Sequence, residues 1–109
     1  MNDEKQISLI KELYNCAIEC SRCAAACLNE QDVKMLARCI SLDLDCADVC
    51  RTAASLLSRG SKHGIHLLSE CAELCNICAE ECEKHARMEH CRKCGEACRA
   101  CAEACQQPA

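Results

Sequence analysis

Small apolar residues return along this chain at intervals of four and three, as Cys16, Cys20, Cys23 and Cys27 and again as Cys71, Cys75, Cys78 and Cys82. At about 100° per residue on a helix, each set falls within an arc of about 60°. Cys39, Cys46 and Cys50 span about 40°, and Cys91, Cys94, Cys98, Cys101 and Cys105 about 80°. Between the stripes lie Ala, Leu, Glu, Lys and Arg, all good helix formers. The pattern predicts four helices, over about Asp3 to Asn29, Asp32 to Ser58, Ile65 to His85 and Glu89 to Gln106.

Breakers are few. Gly60 and Gly64 flank a short Ser-Lys-His link, Gly95 is isolated, and the one proline is Pro108. Asp3 and Asp32 are expected to cap helix starts and Gly60 to stop the second helix. Seven cysteines recur at an offset of 55 residues: Cys16, Cys20, Cys23 and Cys27 onto Cys71, Cys75, Cys78 and Cys82, then Cys39, Cys46 and Cys50 onto Cys94, Cys101 and Cys105. Cys91 and Cys98 fall opposite Leu36 and Asp43 in this repeat.

The expected fold is all-α: one domain over residues 1–109, an up-down-up-down antiparallel four-helix bundle built from a duplicated helical hairpin. The turns near Glu30 and Ala86 then share one end, while the Gly60 link and both termini share the other. Inward stripes would make the bundle axis a tube of thiols. A second apolar face, Ile7, Ile10, Tyr14 and Ile18 on the first helix with Val33, Ile40 and Leu44 on the second, points away from the cysteines. That face is expected to join subunits.

Composition sharpens the question. The chain has 16 cysteines and a single aromatic residue, Tyr14. From Cys71 to Cys105 the only large apolar side chains are Leu74, Ile77 and Met88. Unpaired cysteine packs as a small hydrophobe, so filling the core is the plain alternative to a chemical use. So many cysteines would suit a secreted disulfide scaffold. The opening MNDEKQISLI carries no apolar export region, however, and the expectation is a cytoplasmic protein with free thiols. No run is apolar enough for a membrane span. A net charge of −4 and the lack of aromatics argue against nucleic acid.

Soft thiolates select Cu(I), zinc or iron–sulfur clusters. Four thiolates around each Zn(II) leave two excess negative charges, a heavy cost when repeated in a narrow core. Cu(I) at about one ion per thiolate leaves the core near neutrality. Iron–sulfur clusters prefer loop spacings that the run from Cys91 to Cys98 matches only in part. Paired C-x-x-x-C motifs of disulfide-bonded helical hairpins fit Cys16/Cys20 and Cys46/Cys50 but not the longer stripes. A thiol-redox protein using Cys20/Cys23 or Cys91/Cys94 needs one exposed low-pKa pair, not a full set of aligned thiols. A general Zn/Cd buffer remains the nearer alternative.

The runs CISLDLDCADVCRTA from Cys39, CAELCNICAEECEKH from Cys71 and HCRKCGEACRACAEAC from His90 resemble the cytosolic copper storage proteins of bacteria, over nearly the whole chain. The resemblance implies homotetramers of cysteine-lined bundles, each holding many Cu(I) ions without catalytic turnover. With Leu36 and Asp43 on the second stripe, a smaller capacity than some relatives is expected.

Met35, His85, Met88 and His90 all fall near the two hairpin turns, and thioether and imidazole both ligate copper. They form a candidate entry mouth, or else are exposed turn residues. His63 and His66 belong to the opposite end and read as surface. Asp43, within about 40° of the Cys39 stripe, is either a hard ligand or a hydrogen-bonded polar group.

Overall fold

Residues 3–107 are described by the computed structural model, and among them helices and turns alternate without a strand. Helix α1 runs Asp3–Leu28, α2 Ala37–Ser58, α3 Lys62–His66, α4 Leu68–Glu83 and α5 Glu89–Cys105, with a 3-10 turn at Val33–Leu36. Pro108 lies outside the described residues.

Helix α1 packs beside α2 and α5, and α4 beside the same two, so α1 and α4 face each other across the axis, as do α2 and α5. Every neighbouring pair is antiparallel. Gln6 reaches the carbonyl of Leu57 while Cys16 meets Cys46, so α1 and α2 run in opposite directions. The pairs Cys39/Cys82 and Cys46/Cys75 do the same for α2 and α4, and Cys27/Cys91 and Cys16/Cys98 for α1 and α5. The result is a four-helix bundle in an up-down-up-down course, 45 Å long and 17 Å wide. Across the diagonal, Cys16 stands 3.8 Å from Cys75, a separation of 59 residues in sequence. The level partners are thus one turn away from the 55-residue register of the repeat.

Helix boundaries depart from the sequence expectation where local bonding differs. Asp3 sits inside the first turn of α1, where its charge suits the positive end of the helix dipole. Asp32 has no side-chain cap bond; it leads into the 3-10 turn, and α2 starts only at Ala37. The third helix splits, because Leu67 N–H bonds the carbonyl of Gly64 and so tightens the chain between α3 and α4. Helix α4 stops at Glu83 rather than His85.

Gly60 acts as expected. With φ of 75° it takes the left-handed conformation. Its N–H bonds Leu57 and that of Ser61 bonds Leu56, the paired bonds of a Schellman stop. The Ser61 hydroxyl accepts the His63 N–H at 3.2 Å and so caps α3. Gly64 has a different reason: a Cβ there would lie 2.8 Å from Leu57 Cγ, so only glycine lets α3 rest against α2.

The interior has two zones. Leu9, Leu13, Leu57 and Leu68 are buried at the Gly60 end and close it with ordinary aliphatic packing. Beyond them toward the hairpin turns the axis is lined by sulfur, with Ala17, Ala24, Ala47, Ala53, Ala72, Ala79 and Ala102 letting the helices approach closely. Outside, Arg99 holds Glu83 through two 2.9 Å bonds, tying α5 to α4.

Candidate metal-binding core

All sixteen cysteines are buried and free. Facing positions on four helices bring them together without bonding them: Cys20 and Cys98 sulfurs are 3.6 Å apart, Cys46 and Cys75 3.6 Å, Cys50 and Cys75 3.6 Å, Cys20 and Cys94 3.7 Å, and Cys39 and Cys82 3.7 Å. A disulfide needs about 2.05 Å. Cys71, Cys101 and Cys105 continue the buried lining toward the leucines, with the Cys71 thiol donating to the Val49 carbonyl at 3.8 Å.

The thiols form overlapping groups of four. Cys16, Cys46, Cys50 and Cys75 make one; Cys16, Cys20, Cys46 and Cys98 the next; Cys20, Cys78, Cys94 and Cys98 a third. Within each, the ligand atoms lie within 4.8 Å of one another, and neighbouring groups share two members. The lining is one continuous ladder.

Burial opposes ionisation. The Cys27 thiol is pushed up chiefly by desolvation, and that of Cys91 is pushed up to about 11 for the same first reason. Deeper in, the thiols titrate as interacting sets. Cys20 and Cys23 are raised, by bonds to Cys16 and Cys39 foremost, while Cys78 and Cys82 are lowered, by bonds to Cys20 and Cys23 foremost. Losing one proton in such a set changes the next.

Two non-sulfur groups enter the ladder. Asp43 is fully buried; its Oδ1 accepts from Cys78 at 3.2 Å, Cys94 at 3.3 Å and Cys82 at 3.7 Å, and with Cys23, Cys39 and Cys82 it forms another candidate quartet. Burial first, then the charge of Cys82 and Cys39, raises its carboxyl to about 8. A carboxyl held neutral in this way adds no charge to the empty core. His90 turns inward, with Nδ1 3.5 Å from Cys91, 3.7 Å from Cys23 and 3.8 Å from Cys27. These four are the quartet nearest the hairpin turns.

The four mouth candidates therefore separate. Met35, His85 and Met88 line a cavity of about 310 Å³ at the turn end, with Leu36 beneath them. His90 is not part of that lining; it meets the thiol ladder and also lines a groove between α1 and α5. His85 is held by Glu81 at 3.1 Å, and Glu81 also meets Arg38 and Lys84, each at 3.4 Å. Burial alone would raise Glu81, but the contacts with His85 foremost and with Lys84 hold its carboxyl below the ordinary range. His63 and His66 are exposed at the far end, their rings edge to face at 5.8 Å.

Sequence reasoning left Asp43 as either a hard ligand or a hydrogen-bonded polar group, and the structure shows it hydrogen-bonded among the thiols. A signal existed: positions 39, 43, 46 and 50 keep the four-three-four spacing of the cysteine sets, so Asp43 occupies a cysteine slot. No such signal marked Glu30, whose Oε2 lies 3.0 Å from His90 Nε2.

Fold and lining together define a helical bundle whose core is lined by soft-metal ligands. The chain belongs to the copper storage protein family, whose model matches residues 2–109. It is similar to a cytosolic copper storage protein of Streptomyces lividans solved with five coppers, at 46% identity over 94% of this chain and 90% of that one, with a TM-score of 0.89. It is also similar to the Cu(I)-bound copper storage protein BsCsp3, at 34% identity over 94% and 95% of the two chains, with a TM-score of 0.88. A cysteine-rich protein of Bacillus subtilis, YhjQ, is 36% identical over 85 residues, 78% of each chain.

Proposed function

We propose that this chain stores Cu(I) in the cytoplasm, holding many ions along its axis through Cys16, Cys20, Cys23, Cys27, Cys39, Cys46, Cys50, Cys71, Cys75, Cys78, Cys82, Cys91, Cys94, Cys98, Cys101 and Cys105. The observation that carries the reading is the sharing of thiols between neighbouring quartets. Sulfur spacing alone does not choose the metal: bonds of about 2.3 Å in a zinc tetrahedron also place sulfurs about 3.8 Å apart. Sharing does choose. Separate Zn(II) sites each claim four thiolates of their own, whereas a bridging thiolate serves two Cu(I) ions at once.

Charge supports the same choice. Burial keeps thiols such as Cys27 and Cys91 protonated and the Asp43 carboxyl neutral, which holds down the charge of the empty core. Each arriving Cu⁺ replaces one thiol proton, forming a Cu–S bond and releasing H⁺, so the exchange adds no charge to the interior. His90 supplies a neutral nitrogen at the turn end of the ladder. Met35, His85 and Met88 line the approach, where thioether and imidazole suit a soft cation. The similarity to proteins solved with copper adds to this reading. The role is binding without turnover.

An anaerobic titration of the reduced chain, with Cu(I) delivered against a competing chelator, tests it. Saturation is expected at about one ion per cysteine. Saturation near four ions, or displacement of Cu(I) by Zn(II), would overturn the reading in favour of a zinc or cadmium buffer.

A further inference from the structure

We propose that Glu30 is the positioning residue of the ladder's turn end: its carboxylate fixes His90 in the tautomer that carries a lone pair on Nδ1, aimed into the thiol quartet as the waiting ligand for incoming Cu(I). The inference rests on the storage reading for its copper step, and on geometry alone for its tautomer.

Glu30 Oε2 lies 3.0 Å from His90 Nε2. A carboxylate only accepts hydrogen bonds, so Nε2 must carry the proton. Neutral imidazole has one N–H, which leaves Nδ1 as an acceptor. That atom faces Cys91, Cys23 and Cys27 at 3.5, 3.7 and 3.8 Å. Thiols are donors there in the empty protein, and a Cu(I) ion takes the same lone pair once they lose their protons. The opposite tautomer would put an N–H against three sulfur sites and leave no nitrogen for the metal.

Access is present on this side. A groove of about 700 Å³ between α1 and α5, lined by Ile18, Arg22, Ala26, Lys93 and others, has Cys23 and His90 in its wall. The His90 side chain is 21% exposed, while Cys23 is 1% exposed. His90 is therefore the member of the pair that an ion arriving through the groove meets first. Glu30 comes from the turn after α1 and His90 from α5, so the bond also sets the position of one hairpin against the other at this end.

The test uses full-length reduced protein with Glu30→Ala, Glu30→Gln, His90→Ala and the Glu30→Ala/His90→Ala pair. Long-range proton–nitrogen NMR reads the His90 tautomer without any metal. Wild type is expected to show protonated Nε2 with free Nδ1, Glu30→Gln to keep it through its amide oxygen, and Glu30→Ala to lose it. Stopped-flow transfer of Cu(I) from a coloured chelator then reads uptake of the first ions. Glu30→Ala should be slower by about tenfold or more, in line with the loss of a residue that orients a metal-ligating histidine. Glu30→Gln should stay close to wild type, and the pair should be no slower than His90→Ala alone. An unchanged tautomer in Glu30→Ala overturns the proposal. So does a slowing that persists at full size in the His90→Ala background, which would mark a turn effect. If the chain binds no Cu(I), the storage reading fails while the NMR comparison still decides the tautomer.

Discussion

Asp43 is the acidic residue buried within the thiol ladder. Its carboxyl, raised to about 8 by burial first and then by Cys82 and Cys39, keeps its proton between pH 5 and 7.5 in the folded chain. In the unfolded chain an aspartate is ionised over that range. Through this group the folded state binds an additional proton, and the Asp43 contribution to apo stability falls as pH rises, by up to about 1.4 kcal/mol per unit, while the lowered Cys78 and Cys82 thiols act in the opposite sense. Glu81, with its lowered carboxyl, contributes in the opposite sense, and that contribution is lost only as pH falls below the window. The stability difference between wild type and Asp43→Asn, read from urea midpoints of the reduced apo proteins, should therefore move against wild type as pH rises from 5 to 7.5. A difference that does not change with pH would mean that Asp43 is ionised within the thiols. Copper moves with pH in the other direction. Because Cys27 and Cys91 hold their protons more tightly than ordinary thiols, chiefly through burial, protons compete harder as pH falls, and Cu(I) retention against a chelator of fixed affinity should weaken.

At the scale of elements, the α2 to α4 connection depends on two glycines for different physical reasons. Gly60→Ala meets no side chain but forces a β-carbon into φ of 75°, a cost of about 1–2 kcal/mol. Gly64→Ala has an ordinary φ but brings Cβ within 2.8 Å of Leu57 Cγ and 3.0 Å of the Leu57 backbone nitrogen, and overpacking of this kind costs about 1–3 kcal/mol. Thermal unfolding of the apo protein should show both losses. Gly60→Asn should recover part of the first, since asparagine tolerates the left-handed region. The four sulfur-bearing helices were legible because cysteine spacing is a helical period and nothing large competes with it. Their ends were less so. Asp32 looked like a cap, yet the 3-10 turn spends the chain's local hydrogen bonds before α2 begins, and Leu67 breaks the third helix through a backbone bond that no side chain announces. The vertical register was also hidden. Repeat spacing pairs Cys16 with Cys71, but packing sets Cys16 against Cys75, because the relative slide of two hairpins is decided by side-chain interlock between them. For the same reason the Glu30–His90 bond, a contact between residues 60 apart, could not be read from either local pattern.

At the scale of the molecule, the thiol ladder is contained within one chain, while the outer surface is uneven. Ile7, Tyr14, Ile18, Leu28, Met35 and Leu44 are all exposed on the N-terminal hairpin and its turn, with Ile7 at 53% and Ile18 at 57%; elsewhere among the described residues the exposed large aliphatics are Ile65 of α3 and Ile77 of α4. Exposed aliphatics concentrated on one pair of helices favour burial against another copy, and stable association needs about 800 Å² from each partner. The α1/α2 face is accordingly the surface through which the homo-oligomer expected from the sequence, a tetramer by family resemblance, should form. Ile7→Glu with Leu44→Glu places two like charges in that face, clear of the groove that Ile18 lines, while disturbing no buried contact, so each chain should keep its fold, surface changes of this kind costing within about 0.5 kcal/mol. Sedimentation at micromolar concentration should show the wild type as an oligomer and the double variant as a smaller species. Copper bound per chain should be the same in both, since no cysteine of the ladder depends on a neighbour. A wild-type monomer at that concentration would refute the interface. A double variant that dissociates and also loses capacity would show that the ladder draws its rigidity from the assembly, a dependence that the continuous packing of Cys16 through Cys105 within one bundle argues against.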